Sequence, residues 1–353
     1  MPRLTPFGRA AVGAAVLGAA LLCAAVAALS IRTGDSPSLI ASDGKAYYVW
    51  ARSVLIDGDV DFANDYRLLY PPDPLPPESA RFTPSGLTLS KTPIGLALLE
   101  APGVLLGTAS AKLLGFPADG VSLPYQLAVC GTLVAFFIAA WFLLFRAMLR
   151  WGVAPPVAFL LWIGMLAATN LIHYVAKEPA MAHAPGVAGM ALIVFLVAGW
   201  PADAARPPRA RAMAVGALFA LLLLIRNAHV VMLPFVVALL AARRAATLRT
   251  LAWAALAAAL VLSLQVAATF ALWGQFGFNL YPGESFVRDP TGIWLALFSA
   301  RHGLFTHHPW YALLLLLNVA ALFGSPKARW ISAGALAGWL LLAIGNGLWW
   351  CWW

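Results

Sequence analysis

Hydrophobic residues in this chain fall in long, nearly unbroken blocks, without the alternation of a barrel strand or the narrow stripe of a water-soluble helix. The blocks run at roughly 10–31, 122–148, 153–174, 180–200, 212–226, 228–242, 250–273, 309–324 and 330–348. A bilayer core takes about 20 residues of apolar helix, and most of these blocks meet or approach that length. Lipid offers no partner to a backbone N–H or C=O, so only helices and closed barrels cross it, and the lack of period-two alternation leaves helices. The blocks at 212–226 and 228–242 are short and predict one broken pair around Arg226 and Asn227. The pattern predicts an all-α polytopic membrane protein of about nine spans, a single transmembrane domain over residues 1–353 with no soluble C-terminal domain.

The main polar interruption lies at 32–121 and predicts a large first loop with juxtamembrane helices. Within 44–56, the spacing of Ala46, Val49, Trp50, Val54 and Leu55 predicts an amphipathic helix lying on the membrane surface. Thr92 to Phe116 is apolar but is interrupted by Pro93, Glu100, Pro102 and Lys112. It is expected to form a membrane-dipping or surface-lying helical pair. A full span here would move every later loop to the other side, and the basic clusters argue against that.

Those clusters set the direction. With the N-terminus inside, the inner connections carry Arg3, Arg9, Arg146, Arg150, Arg206, Arg209, Arg211, Arg243, Arg244, Arg249, Lys327 and Arg329. The short outer connections carry only Lys177, Arg226, Arg288 and Arg301, which is the positive-inside bias. Among the acids, only Asp203 then faces inward. The net charge of +9 is thereby explained as topology, without nucleic acid. Composition agrees: 62% of the 353 residues are hydrophobic and 10% charged, far from a soluble domain. The three cysteines, Cys23, Cys130 and Cys351, show neither metal spacing nor a disulfide framework. The first block is longer than the core of a signal peptide and is expected to be an uncleaved anchor.

Polar residues with no topological task gather on the expected outer side, in three places. The first loop holds Asp43, Lys45, Tyr47, Tyr48, Arg52, Asp57, Asp59, Asp61, Asp65, Tyr66, Arg67 and Lys91, stiffened by the prolines between Tyr70 and Pro77. Asp43 opens the surface helix and reads either as an N-cap or as a general base, where partial desolvation at the lipid boundary raises a carboxyl into working range. Asp57, Asp59 and Asp61 read as a solvated turn or a weak divalent site. Phe62 stands where a calcium loop needs glycine. The second place is the turn from His173 to His183, with Lys177 and Glu178 between. It reads as interfacial anchoring or as a functional acid close to the membrane core, with zinc through both histidines and Glu178 as a further reading. The third is Phe298 to Pro309, where Arg301 suits a phosphate and His302 a proton, or where an interfacial loop simply precedes the next span. Arg226 and Lys91 would join such a phosphate site if the helices bring them together.

These residues resemble the polytopic bacterial glycosyltransferases of the GT-C fold, which use a polyprenyl-phosphate-linked sugar. The group includes the aminoarabinose transferase acting on lipid A, the protein O-mannosyltransferases and the transferases that add galacturonate to lipopolysaccharide. The similarity rests on one span, then an outer loop with an early acid (Asp43), then the Lys/Pro segment Ser90-Lys91-Thr92-Pro93, then paired spans joined by Lys177-Glu178-Pro179. It implies a GT-C-like helical bundle with a large first periplasmic loop and surface helices, in a bacterial inner membrane with the site periplasmic. It also implies an inverting transfer. Asp43 would deprotonate the acceptor hydroxyl, and Glu178 would position the acceptor or hold a divalent metal. Lys91, Arg301, His302, Arg226 and Lys177 would hold the donor phosphate. The partners implied are the lipid-linked donor, the bilayer and a glycan, lipid or protein acceptor.

The chain departs from that group at its end. Trp349-Trp350-Cys351-Trp352-Trp353 closes the sequence where relatives continue, so an apparently short C-terminus is expected. Two other classes stand beside the transferase: a lipid-linked oligosaccharide flippase or transporter, and an inactive truncated homologue. Transporters place polar groups at the bilayer midplane, whereas the spans here are almost free of charge.

Overall fold

The structure is a computed structural model that describes residue 13 and residues 38–71, 74–201, 208–275, 281 and 283–349. The expected first span at 10–31 lies outside the described residues, apart from Gly13, and so do Asp73, Asp203 and Cys351. The described secondary structure is helical, with only isolated β-bridges such as Phe82 to Thr88. Four described helices are long and apolar enough to cross a membrane. Together with the composition, this makes the chain an all-α membrane protein.

By contacts the chain separates into two compact units, Met1–Gly199 with Ala217–Arg226 and Ala258–Leu280, and Trp200–Gly216 with Asn227–Ala257 and Tyr281–Trp353. The first unit begins with α1 (Asp43–Arg52), a π-turn (Ser53–Asp57), α2 (Ala63–Leu69) and a 3-10 turn (Pro77–Ala80). It continues through α3 (Gly95–Leu114), α4 (Leu123–Arg150), α5 (Pro155–Ala167), α6 (Leu171–Ala176) and α7 (His183–Ala198). Helices α8 (Arg209–Ile225) and α10 (Leu248–Trp273) contribute residues to both units. The second unit adds a 3-10 turn (Asn227–Met232), α9 (Leu233–Ala242), α11 (Thr291–Phe298), α12 (Leu304–His307), α13 (Trp310–Ala321) and α14 (Pro326–Leu348). There α14 starts at a Ser325 cap, whose hydroxyl accepts from the Ala328 N–H, and α9, α11 and α13 pack against it.

Thr92 to Phe116 differs from the sequence expectation. A single continuous helix, α3, replaces the expected pair and carries Pro102 inside it. The proline lies on the exposed side, so its ring and the carbonyl it leaves unpaired avoid the packed face. That face is Gly103, Val104, Gly107 and Ala111, set against α4. A Cβ at Gly103 would lie 2.6 Å from the Val129 Cα, so bare glycine lets the two backbones touch. The expected span at 153–174 is also interrupted, as α5 and α6, by the Thr169–Asn170 break.

Helix α1 lies along α3 and is tied to both of its flanks. At one end the Trp50 indole N–H donates to the Thr92 carbonyl at 2.8 Å, and the Thr92 hydroxyl donates to the Ala46 carbonyl at 2.8 Å. At the other, the Tyr48 hydroxyl donates to the Gly120 carbonyl at 2.6 Å and Arg52 Nε to the Asp119 carbonyl at 2.8 Å. Tyr48, Val49, Trp50, Phe62 and Tyr66 are buried together against Leu96, Val104, Tyr125 and Val129. Burying such aromatics supplies most of the drive that folds the polar loop onto the helices. A second cluster joins α4, α5, α6 and α7, where the Trp162 indole N–H donates to the Trp141 carbonyl at 2.7 Å.

Candidate functional site

Asp43 is the first residue of α1, and the residue before it takes the cap position. Ser42 caps by backbone alone at φ 49°, a left-handed conformation that costs a side-chain-bearing residue about 1 kcal/mol or more. The N-cap reading of Asp43 is therefore not realised: its carboxylate is exposed and makes no side-chain hydrogen bond among the described residues. The strained Ser42 points its hydroxyl across to the turn between α6 and α7, donating to Glu178 Oε1 at 2.7 Å. The other oxygen, Glu178 Oε2, is 3.3 Å from His173 Nε2. Beside this link, Gly44 packs on Ala180, where an added Cβ would come within 3.1 Å.

The same turn leads into α7. His183, at the start of that helix, stacks on Tyr174 with ring centroids 4.0 Å apart and meets Arg226 Nη1 at a long 3.5 Å. Arg226 follows the end of α8, whose Leu224 and Ile225 backbone presses on Gly95, the first residue of α3. Just before Gly95 come Lys91 and Thr92, and Thr92 is bonded back to α1 through Ala46. The contacts thus close a circuit, from α1 to the 177–182 turn, to the end of α8, to the start of α3 and back to α1. Asp43, Glu178, Lys177, Arg226 and Lys91 all lie on it within the first unit.

Two residues not singled out from the sequence join them. Glu78, on the 3-10 turn, is 6% exposed and holds Lys91 Nζ at 2.7 Å. Tyr70 lies beneath Lys45, whose ammonium is 4.4 Å from the ring centre. Burial, with the carboxylates of Asp43 and Glu78 nearby, pushes the Tyr70 phenol up to about 12. Tyr70 therefore stays a neutral hydrogen-bond donor at any physiological pH. Lys177 is half-buried, and its ammonium has no hydrogen bond or ion pair among the described residues.

Arg301 and His302 belong to the second unit. They are exposed in the turn before α12, where the His302 N–H donates to Ser299 Oγ at 3.1 Å. The run of Asp57, Asp59 and Asp61 is structural. Asp57 and Asp65 share the buried Arg52 guanidinium, Asp59 accepts from Ser53, and Asp61 accepts from the Ala63 and Thr88 N–H groups. No group of three metal-binding side chains occurs among the described residues, and His173 and His183 turn to different partners, Glu178 and Tyr174. No family model, curated protein or solved structure matches the chain.

Proposed function

We propose that the chain is a membrane glycosyltransferase that moves a sugar from a polyprenyl-phosphate donor to an envelope glycan, lipid or protein acceptor on the periplasmic side. The observation that supports this reading is the circuit of contacts within the first unit on which Asp43, exposed and without a side-chain hydrogen bond among the described residues, lies together with Lys91, Lys177 and Arg226. An acid free of hydrogen bonds can take a proton, and cations grouped near it can hold a phosphate. In the reaction, the acceptor oxygen attacks the anomeric carbon and its proton passes to Asp43. The bond from that carbon to the phosphate oxygen breaks, and the lipid phosphate leaves with the electron pair. Lys91 and Arg226 stabilise the charge that develops there. Glu178, fixed by Ser42 and His173, positions the acceptor.

The tying of both flanks of α3 to α1 supports the topology this requires. Helix α1 opens with Asp43 and Lys45 and belongs at a water boundary. Although α3 is one of the four helices long and apolar enough to cross a membrane, its fastening at both ends to that layer fits a place along the boundary, and on that placement Arg146 and Arg150 would fall at the cytoplasmic end of α4.

The test is lipid and glycan mass spectrometry of cells carrying the gene, lacking it, or carrying Asp43→Asn. The expected result is the loss of one sugar mass in the null cells and in D43N, with D43N folded and inserted. A flippase or an inactive scaffold would be untouched by D43N, and that outcome would overturn the proposal.

A further inference from the structure

Three contacts in the second unit fix the height of the turn that carries Arg301 and His302. Gly347, near the end of α14, lies bare against the Ile293 backbone of α11. Phe298, at the end of α11, meets Phe305 of α12 with ring centroids 5.4 Å apart, and Phe305 meets Trp339 of α14 at 6.1 Å. Helix α11 therefore runs antiparallel to α14, and the turn after it comes down to the height of Trp339. From Gly347 to Trp339 is about 12 Å of helix, so the turn lies well short of the end of α14. Helix α13 then packs against α14 in its turn. Neither α11, of 8 residues, nor α13, of 12, reaches across a bilayer alone, but end to end they come to about 30 Å, the thickness of its core. Beside them α14 is long and apolar enough to cross a membrane. The two short helices thus read as one crossing, broken partway through at the turn.

The turn satisfies itself and leaves two side chains over. The Gly303 N–H donates to the Ser299 carbonyl at 2.9 Å and the His302 N–H to Ser299 Oγ at 3.1 Å. The Thr306 hydroxyl donates to the Phe298 carbonyl at 2.9 Å, and His307 Nε2 meets the Ala300 carbonyl at 3.0 Å. Arg301 and His302 are exposed, and neither side chain has a hydrogen bond or ion pair among the described residues. An arginine within the thickness of a membrane is costly unless an anion or water meets it. The surface on either side of the turn is apolar: Trp294 of α11 is 63% exposed and Leu316 of α13 is 66% exposed, with Leu313 and Leu317 open beside it. A cation between two apolar flanks selects an anion with a hydrocarbon body. We propose that the turn is a binding site for an anionic phospholipid of the bilayer. The Arg301 guanidinium forks onto two phosphate oxygens, the His302 imidazole N–H donates to the same phosphate, and the acyl chains lie along the leucines of α13. A zwitterionic headgroup fits less well, because it brings an ammonium that the arginine repels. The site belongs to the second unit and does not depend on glycosyl transfer.

The experiment is native mass spectrometry of the full chain in detergent, titrated with dioleoyl phosphatidylglycerol or dioleoyl phosphatidylcholine. It compares the unmodified chain with Arg301→Gln, Arg301→Lys and Arg288→Gln. Arg288, an exposed arginine of the same unit outside the turn, controls for general surface charge. The expected result is that phosphatidylglycerol adducts outlast phosphatidylcholine adducts as collision energy rises. R301Q should cut the bound phosphatidylglycerol several-fold, R301K should cut it less, and R288Q should keep it. Inorganic phosphate at millimolar concentration should leave the adduct in place. Equal retention of the two lipids by the unmodified chain would overturn the proposal, whether or not the variants fold. So would full retention in R301Q and R301K, or a loss in R288Q as large as in R301Q. Displacement of the lipid by inorganic phosphate would overturn it in favour of a site for a free anion.

Discussion

Asp65 should give this protein an inverted pH response. Its side chain is 0% exposed, with Oδ1 2.7 Å from the Arg52 guanidinium and Oδ2 without a partner among the described residues. Burial outweighs the guanidinium, Asp57 and Asp59 add repulsion, and the carboxyl is pushed up to about 6. An unfolded aspartate titrates near 3.9, so the folded state binds this proton more tightly by roughly 3 kcal/mol. Because the folded value is the higher one, the stability it contributes is fully present below about pH 4 and is lost as pH rises through about 6. The usual paired carboxylate does the opposite. Thermal unfolding of the detergent-solubilised protein and of Asp65→Asn, compared across that window, isolates this group from the other acids. D65N should lose ground relative to the native chain as pH falls, by up to about 3 kcal/mol. If the difference between the two proteins stays flat, or if the native chain loses ground to D65N on acidification, then Arg52 dominates the site and the reasoning from burial is wrong.

Other substitutions probe the circuit. Gly95→Ala puts a Cβ 2.3 Å from the Leu224 carbonyl carbon and should destabilise by about 1–3 kcal/mol, whereas Gly131→Ala, with nothing within 4 Å, should be neutral or slightly stabilising. Paired thermal melts distinguish these, and equal effects would refute the close approach of α8 to α3. Glu78→Gln leaves the Lys91 ammonium without its partner charge and should cut transfer about tenfold, roughly 1.4 kcal/mol, with the fold kept. Unchanged glycan transfer in E78Q cells would show that the pair is ornamental. Ser42→Ala removes the hydrogen bond to Glu178 and should cost about 1 kcal/mol in chemical unfolding. A variant as stable as the native chain would mean that the bond merely replaces one to water.

Helix positions were legible wherever apolar blocks are bounded by charge or proline. The block at 122–148 became α4 and that at 330–348 lies within α14, because length and hydropathy alone decide them. Thr92 to Phe116 misled because proline and charge look like breaks in one dimension. In the fold, Pro102 falls on the free side and Gly103 and Gly107 on the packed side, and that distinction needs a neighbour to be visible. For the site, Asp43, Lys91, Glu178 and Arg226 could be singled out because each is a polar residue without a topological task. Glu78 and Tyr70 could not, since a glutamate after a proline run and a tyrosine before it carry no local sign of the lysine and carboxylates they meet. The aspartates after Arg52 drew attention as ligands for the opposite reason. They are dense in sequence, yet Asp57 is held by a guanidinium five residues back, and Asp59 and Asp61 by a serine hydroxyl and backbone N–H groups.

The span between Arg52 and Asp119 has a consequence for biosynthesis. The carbonyl that Arg52 Nε reaches is 67 residues further along the chain. At ribosomal rates of roughly 5–20 residues per second, it is made on the order of 3–13 s after the arginine. Throughout that interval the guanidinium already has company, because Asp57 and Asp65 leave the ribosome soon after it. The nascent segment around α1 can therefore set its arginine early and wait, and α3 with the turn that follows docks onto a side chain already aimed.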